Sequence, residues 1–507
     1  MDDQTAVLEF LGEGASYGRP GARVERIDTH ASALFLIGDR VYKLKRAVAF
    51  SYLDYSTVAL RERACRAELA LNRRTAPMLY LAVRAVMRGA DGRLGFDGAG
   101  ETLDWVVEMR RFDAAGLFDR LAEERRLTPR LMRDTADVIA AFHAAVEPER
   151  GTGGGTAAVI AGIEDELNRA GGEFAAAAPE LARDWRTALG GLAPLLAQRQ
   201  RDGKVRRCHG DLHLGNICLV DGRPTLFDAV EFSDAIAVID VLYDLAFLLM
   251  DLVHRALTPL AAVVVNRYFD RGESAAGLAV LPLFLSLRAA IRAHVSASAA
   301  GQQADAEAAS RLRAAAQRYL DLAQTLLRPA PPRLIAIGGL SGTGKSTLAQ
   351  ALAPDFLPAP GARVLRSDVL RKALSGVAPE TRLPSDAYTP AANERVYSRL
   401  FSEASAGLAA GASIILDAVF LAPKERAAAS EIAAAAGTPF IGFWLDAAPS
   451  ALASRLDARR DDASDADRAV AERQLALDPG PLSWRRIDAG GDAQRTLAAV
   501  RQIIARG

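Results

Sequence analysis

The segment Gly339-Leu340-Ser341-Gly342-Thr343-Gly344-Lys345-Ser346, followed by Thr347, constrains this chain more than any other. It fits the spacing Gly-x-x-x-x-Gly-Lys-Ser/Thr. An apolar, strand-like run from Leu334 to Ile337 precedes it, and a helical pattern from Thr347 to Leu352 follows. Glycines let successive main-chain N–H groups turn toward one point and form an anion nest. The helix start adds partial positive charge. Residues 339–347 are therefore expected to cradle the phosphates of ATP. Lys345 should reach the β- and γ-phosphates, and the Ser346 hydroxyl should ligate Mg²⁺.

Further strands are expected at 362–366, 412–416 and 439–445, alternating with helices. That alternation marks βαβ units and a parallel sheet. Asp417 ends the third strand, where a carboxylate suits work on Mg²⁺ or simply caps a strand. Asp368, in Arg366-Ser-Asp-Val-Leu-Arg371, reads as an acceptor of a substrate hydroxyl proton or as a helix N-cap. Arg371 could hold an anionic group. Arg455 and Arg459 lie four apart on one expected helix face, with Arg460 next. They read as lid arginines that neutralise a transferring phosphoryl group, or as a solvated face.

The most informative earlier segment is His209-Gly210-Asp211-Leu-His213-Leu-Gly-Asn216, with Asp228 twelve residues beyond Asn216. An Asp followed five residues later by an Asn on a tight loop can hold a substrate hydroxyl and Mg²⁺ side by side. Asp228, at the end of an apolar run, would complete the metal site with hard oxygen ligands.

The chain has 507 residues, which suggests several domains at roughly 100–200 residues each. Arg328-Pro-Ala-Pro-Pro-Arg333 is a stiff, extended spacer. It divides an expected first domain, 1–328, from a second, 334–507, with 329–333 as linker. The first ~110 residues read as strands with one helix, Val58 to Arg73. The strands are Ala33–Ile37, Arg40–Leu44, Met78–Met87 and Thr102–Met109. From Leu117 to about Leu326 the pattern is mainly helical. Lys+Arg and Asp+Glu are 62 each, so no basic excess points to nucleic acid or an anionic membrane. Cys65, Cys208 and Cys218 form no disulfide framework or zinc pattern, and free thiols suit a reducing compartment. MDDQTAVLEF lacks the features of a signal peptide. The apolar run Ala275 to Leu287 falls short of the ~20 residues that span a bilayer. The expectation is a cytoplasmic protein.

On these motifs, 333–507 resembles the small P-loop kinases of metabolites, of gluconate-kinase, shikimate-kinase and zeta-toxin type. Ser-Asp-x-x-Arg at 367–371, Asp-Ala-x-Phe at 417–420 and the arginines near 455–460 carry this likeness beyond the loop. His-Gly-Asp-x-x-x-x-Asn resembles the aminoglycoside-phosphotransferase and choline-kinase branch of the protein-kinase-like fold. The order of the two resembles a bacterial two-domain family, phosphotransferase-like and then an ATP-binding kinase domain. The implied architecture is a bilobal kinase-like domain (N-lobe about 1–108, C-lobe about 109–328) and a P-loop domain with a parallel sheet flanked by helices.

The resemblance implies that Asp211 is the base or hydroxyl-orienting carboxylate and that Asn216 and Asp228 bind metal. His209 would support the loop. Lys43 of Val41-Tyr-Lys-Leu-Lys45 would meet the α- and β-phosphates, with Glu68 as its helix partner and Glu62 as runner-up. Lys45 shares the strand face of Lys43. Trp105–Met109 would join the lobes at the adenine edge, and Asp240 and Asp244 would anchor the loop. The sequence departs from the family pattern in two places. No Gly-x-Gly-x-x-Gly precedes Lys43, which leaves Thr29-His-Ala-Ser32 as the phosphate-covering turn. Asp228 is followed by Ala-Val-Glu231.

The expected activity is ATP- and Mg²⁺-dependent transfer of a phosphoryl group to a hydroxyl of a small metabolite, at two nucleotide sites. Arg267, Arg271, Arg288, Arg292 and His294 hint at an acceptor that is not a polycation. Two alternatives stand beside this. One is a kinase-like sensor fused to a P-loop nucleotide switch. The other is a polynucleotide kinase, which the neutral charge disfavours.

Overall fold

The structure is a computed structural model that describes residues 2–50, 53–149, 155–458, 463–466 and 468–506. The chain forms two compact units, Met1–Val159 with Pro194–Leu248, and Ile160–Ala193 with Leu249–Gly507.

The first unit opens with helix α1 (Thr5–Gly12) and strands β1 (Glu25–Asp28), β2 (Ser32–Ile37) and β3 (Arg40–Lys45). The β2–β3 turn uses Gly38 at φ +55, a left-handed conformation that costs glycine little. A small ribbon, β4 (Ala49–Phe50) with β5 (Leu53–Asp54), leads to helix α2 (Val58–Asn72). Thr57 caps α2 by accepting the Leu60 N–H. Strands β6 (Tyr80–Arg88), β7 (Leu94–Phe96) and β8 (Glu101–Arg110) complete a six-stranded sheet in the order β1-β2-β3-β8-β6-β7, antiparallel throughout. Alternation gives the sheet two apolar faces. Ala33, Phe35, Ile37, Tyr42 and Leu44 pack with Val7 and Leu11 of α1. Val41 and Val107 pack with Cys65 of α2 on the other face.

Trp105–Met109 is not the joining segment. It lies inside β8, whose main chain is paired to β3 on one side and β6 on the other. The strand ends only at Arg110.

Helices α3 (Phe118–Glu123), α4 (Pro129–Ala145), α5 (Thr156–Ala170) and α6 (Gly172–Arg201) follow. Then β9 (Val205–Arg207) pairs with β12 (Val238–Asp240), and β10 (Ile217–Val220) with β11 (Arg223–Leu226). The polar stretch 208–231 follows β9 and contains the β10–β11 ribbon. Short helix α7 (Asp234–Ala237) precedes β12, and α8 (Val241–His254) follows it.

In the second unit lie α9 (Thr258–Asp270), α10 (Leu281–Gln302) and α11 (Ala306–Leu326). The helical stretch Ala275–Gln302 is long and apolar enough to cross a membrane by composition, and so longer than the run to Leu287 suggested. Its most apolar window is 72% buried within the protein. Ser286 of α10 accepts from Trp185 Nε1 at 2.8 Å and donates to Ala323 O of α11 at 2.7 Å. It is a core helix of the unit. Two arginines of this region are engaged within the unit. Arg267 pairs with Glu380 at 2.7 Å, and Arg292 lies over the Tyr319 ring.

The same unit holds a five-stranded parallel sheet in the order β14-β15-β13-β16-β17. Its strands are β13 (Leu334–Gly339), β14 (Arg363–Arg366), β15 (Ile414–Asp417), β16 (Phe440–Asp446) and β17 (Arg485–Asp488). Helices α12 (Lys345–Leu352), α13 (Ser367–Leu374), α14 (Pro390–Ala409), α15 (Pro423–Ala435), α16 (Pro449–Ala458), α17 (Arg468–Leu475) and α18 (Ala493–Arg506) connect and flank them. Ile335, Ile337, Val364, Ile415, Phe443 and Leu445 form a fully apolar core, as expected for strands covered on both faces.

Candidate phosphotransfer sites

β13 delivers the chain into the loop 339–344, and α12 begins at Lys345. Gly339, Gly342 and Gly344 adopt φ of +134, +89 and +91. At Gly339 a Cβ would come within 2.6 Å of Leu445 O, whereas beside Gly344 the space is open. Thr343 closes the loop on itself, its hydroxyl donating to Leu340 O at 2.8 Å. Lys345 Nζ folds back to donate to the same oxygen at 2.9 Å. Ser341 donates its N–H to Gln474 Oε1 of α17 at 2.9 Å. Leu340 lies in the loop, Ser346 in the first turn of α12, and Thr347 beside it is exposed.

Ser346 and Asp417 stand together. Asp417 is buried at the end of β15, in register with Ile337 of β13 and Arg366 of β14. Arg366 donates to Ser346 Oγ at 3.2 Å and lies 3.3 Å from Asp417 Oδ2. Burial pushes the Asp417 carboxyl up, and Arg366, Lys345 and the Ser346 hydroxyl oppose that. A hydroxyl beside a carboxylate is a hard-oxygen set that fits Mg²⁺.

Asp368 sits in the first turn of α13, after Arg366 at the N-cap position, so it is not the cap. Arg371, three residues further along the helix, is buried. It donates to Ala387 O at 2.9 Å and lies 4.7 Å over the Tyr388 ring. Arg455 does not project freely from a lid. It donates to Gly491 O at 2.9 Å and reaches Thr343 O at 3.5 Å, so main-chain oxygens engage it. Arg459, with Arg460, lies outside the described residues. Asp465 nearby is held by Lys372, by the Tyr388 hydroxyl at 2.5 Å and by the Leu383 N–H at 2.9 Å. Burial would raise its carboxyl, but these donors win and hold it below the usual range.

In the first unit the loop after β9 is fixed by Asp244 of α8. Asp244 accepts from the His209 N–H at 3.1 Å, the Gly210 N–H at 2.8 Å and His143 Nε2 at 3.1 Å. Asp240 instead pairs with Arg199 through two bonds of 2.7 and 2.8 Å. His209 Nε2 lies 2.9 Å from Phe227 O, which ties the loop to the strand leading to Asp228. Burial lowers the His209 pKa despite Asp244 and Asp211, so the ring is neutral and its Nε2 donates. Asn216 Nδ2 donates to Asp211 Oδ2 at 2.9 Å, and His213 Nε2 lies 3.4 Å from that carboxylate. Asp228 follows at φ +63, its N–H donating to the Tyr80 hydroxyl.

Lys43 bridges sheet and loop. Its Nζ lies 2.9 Å from Glu68 Oε1 and 2.6 Å from Asp228 Oδ1. Lys45 lies 2.5 Å from Glu68 Oε2 and pairs with Glu231. Burial alone would lower both lysines. Asp228 and Glu68 outweigh it for Lys43, and Glu68 and Glu231 for Lys45, so both stay charged. Glu62, the runner-up partner, pairs with Arg66. The turn Thr29–Ala31 is a tight hairpin closed by the Thr29 N–H on Ser32 O at 2.8 Å. Sequence reasoning missed Glu231, Tyr55, Asn72 and Gln474. Only Lys45 carried a signal, its place two residues from Lys43 on one strand face.

Residues 56–279 match the phosphotransferase enzyme family, and 334–479 match the AAA domain family. Among solved structures, a gluconokinase from Sinorhizobium meliloti is 22% identical, covering 35% of this chain and 94% of its own, with a TM-score of 0.25. A choline/ethanolamine kinase family protein from Mesorhizobium loti is 15% identical, covering 64% and 99%, with a TM-score of 0.38. The "Uncharacterized protein Rv2004c" of Mycobacterium tuberculosis and "Uncharacterized protein Mb2027c" of Mycobacterium bovis are each 30% identical over 94% of both chains. The chain therefore belongs to the family of these mycobacterial proteins, and it joins a kinase-like phosphotransferase segment to a P-loop segment.

Proposed function

We propose that this chain is an ATP- and Mg²⁺-dependent phosphotransferase with two nucleotide sites. Each moves a γ-phosphoryl group to a hydroxyl of a small metabolite, such as a sugar or amino sugar. The observation that carries the reading is that each unit gathers a lysine beside hard-oxygen donors. One set is Lys345, Ser346 and Asp417; the other is Lys43 with Asp228, whose neighbour Phe227 is tied to His209 at the head of the Asp211–Asn216 loop. The match to the phosphotransferase family and the glycine geometry of the loop support it. Mg²⁺, where bound, would draw charge off the phosphate oxygens.

The chain's own residues supply position. Asp211 takes the proton of the acceptor hydroxyl as its oxygen bonds to the γ-phosphorus. The bond to the β-bridging oxygen breaks and ADP leaves. Asp368 serves the same role at the P-loop. Lys43 and Lys345 hold the phosphates in line, and most of the rate comes from such alignment. The free thiols Cys65, Cys208 and Cys218 support a place in the reducing cytoplasm.

The test is ATP consumption by the full chain against a library of sugars and nucleosides, with Asp211→Asn and Lys345→Ala. Each variant should abolish transfer to one acceptor and spare the other, by roughly 100-fold or more. Undiminished transfer in the double variant would refute the reading. Retained nucleotide binding with no turnover in any variant would favour a sensor joined to a switch.

A further inference from the structure

Lys43 and Lys45 flank one carboxylate, and the two ends of this buried chain of charges differ. Glu68 is fully buried and gives one oxygen to each lysine, Oε1 to Lys43 and Oε2 to Lys45. Beyond Lys43 lies Asp228, whose side chain is 44% exposed. Beyond Lys45 lies Glu231, whose side chain is only 6% exposed. Tyr55 seals that inner end, its hydroxyl donating to Glu231 Oε1 at 2.6 Å and its ring 5.1 Å from Lys45 Nζ.

Charge points the same way. Two ammonium groups face three carboxylates, all of them in contact with a lysine, so the cluster carries one net negative charge, and Asp228 is its solvent-open member, where a cation can reach it. An exposed ion pair is screened and easily exchanged. A buried, hydrogen-bonded pair is costly to break because each partner would be stranded. The segment 228–231 is also stitched residue by residue. The Asp228 N–H donates to Tyr80, Ala229 to Asn72 Oδ1 at 2.9 Å and Val230 to His209 O at 2.9 Å. Glu231 is the last stitch. Asn72 in turn donates to Glu68 O on its own helix.

We propose that Lys45 and Glu231 are a fixed positioning pair that holds Glu68 in place without Lys43. Lys43 is thereby left as an exchangeable arm that can leave Asp228 for the nucleotide phosphates. This rests on the reading that the first unit binds nucleotide. Glu231 touches neither phosphate nor metal; it acts through Lys45 and Glu68 on Lys43.

The experiment is a double-mutant cycle in the full chain carrying Lys345→Ala, so that binding of the non-hydrolysable analogue AMP-PNP with Mg²⁺ reports the first unit. Affinity is measured calorimetrically for Lys43→Met, Glu231→Gln and the pair. Glu231→Gln should weaken binding roughly tenfold when Lys43 is present and less than about twofold when it is Met, since interacting residues are non-additive. Tyr55→Phe, a milder change that keeps all charges, should show the same pattern at smaller amplitude and covers the case where Glu231→Gln does not fold. A merely structural Glu231 would cost the same factor in both backgrounds. That result, or no loss with Lys43 present, overturns the proposal while the nucleotide site stands. No AMP-PNP binding in the Lys345→Ala chain overturns both.

Discussion

At the scale of single residues, spacing revealed what was close in sequence or lay on one strand face, and little else. Asp211 and Asn216 share a loop, and Lys43 and Lys45 share a face, so both relations were readable. Glu231 was not, because its partners Tyr55 and Lys45 stand 176 and 186 positions away. Gly339 is a position where the physical demand can be tested directly. Its φ of +134 and the 2.6 Å approach to Leu445 O leave no room for a side chain. Gly339→Ala should cost about 1–3 kcal/mol and should weaken ATP binding at this loop; thermal melts and calorimetry would check both. A second residue titrates in an informative range. His254 stacks on Tyr319 at 3.6 Å. Burial lowers its pKa to about 4, outweighing the pull of Asp251, with Arg318, Arg255 and Arg292 adding to the drop. The unfolded chain takes up this proton near pH 6.5 and the folded one only near 4, so stability is present above 6.5 and lost as pH falls toward 4. His254→Phe should flatten that part of the urea-midpoint profile; an unchanged slope would count against the assignment.

At the scale of elements, the central strands were legible because burial on both faces leaves continuous apolar runs. The edge strands β1 and β17 were not. Each reads Arg-Ile-Asp with mostly exposed side chains, and no apolar period marks it. The edge of the parallel sheet at β14 is closed by something no strand pattern could show. Asn266 of α9 accepts the Val364 N–H at 2.7 Å and donates to Ala362 O at 3.1 Å, as a neighbouring peptide group would. Arg363 reinforces it, pairing with Asp270 at 2.6 Å and lying over Phe269. An uncovered strand edge is an invitation to aggregate. Asn266→Ala should strip a partner from buried main-chain groups and cost about 1–3 kcal/mol. A urea titration followed by Trp444 and Trp484 fluorescence would measure it. A loss under about 0.5 kcal/mol would mean that α9 does not close this edge.

At the scale of the whole chain, the proline run at 329–332 is a statement about local stiffness, and packing answers a different question. The two family matches fall on either side of it, yet the compact unit that holds the parallel sheet also takes in 160–193 and 249–326. The reason lies in partners. Asn266, Arg267 and Asp270 precede the prolines and satisfy Val364, Glu380 and Arg363 after them. A fragment of residues 334–507 keeps the phosphate loop but loses all three, exposing β14 and leaving Arg363 unpaired. It should unfold at lower urea than the same sheet in the full chain and associate as its concentration rises. Because β14 ends in Arg366 and Asp368 lies just beyond it in α13, its affinity for ATP should fall as well. Gel filtration over a range of concentrations, with calorimetry on both proteins, decides the matter: a monomeric fragment with the full chain's midpoint and affinity would show that the sequence before the prolines contributes nothing to this sheet.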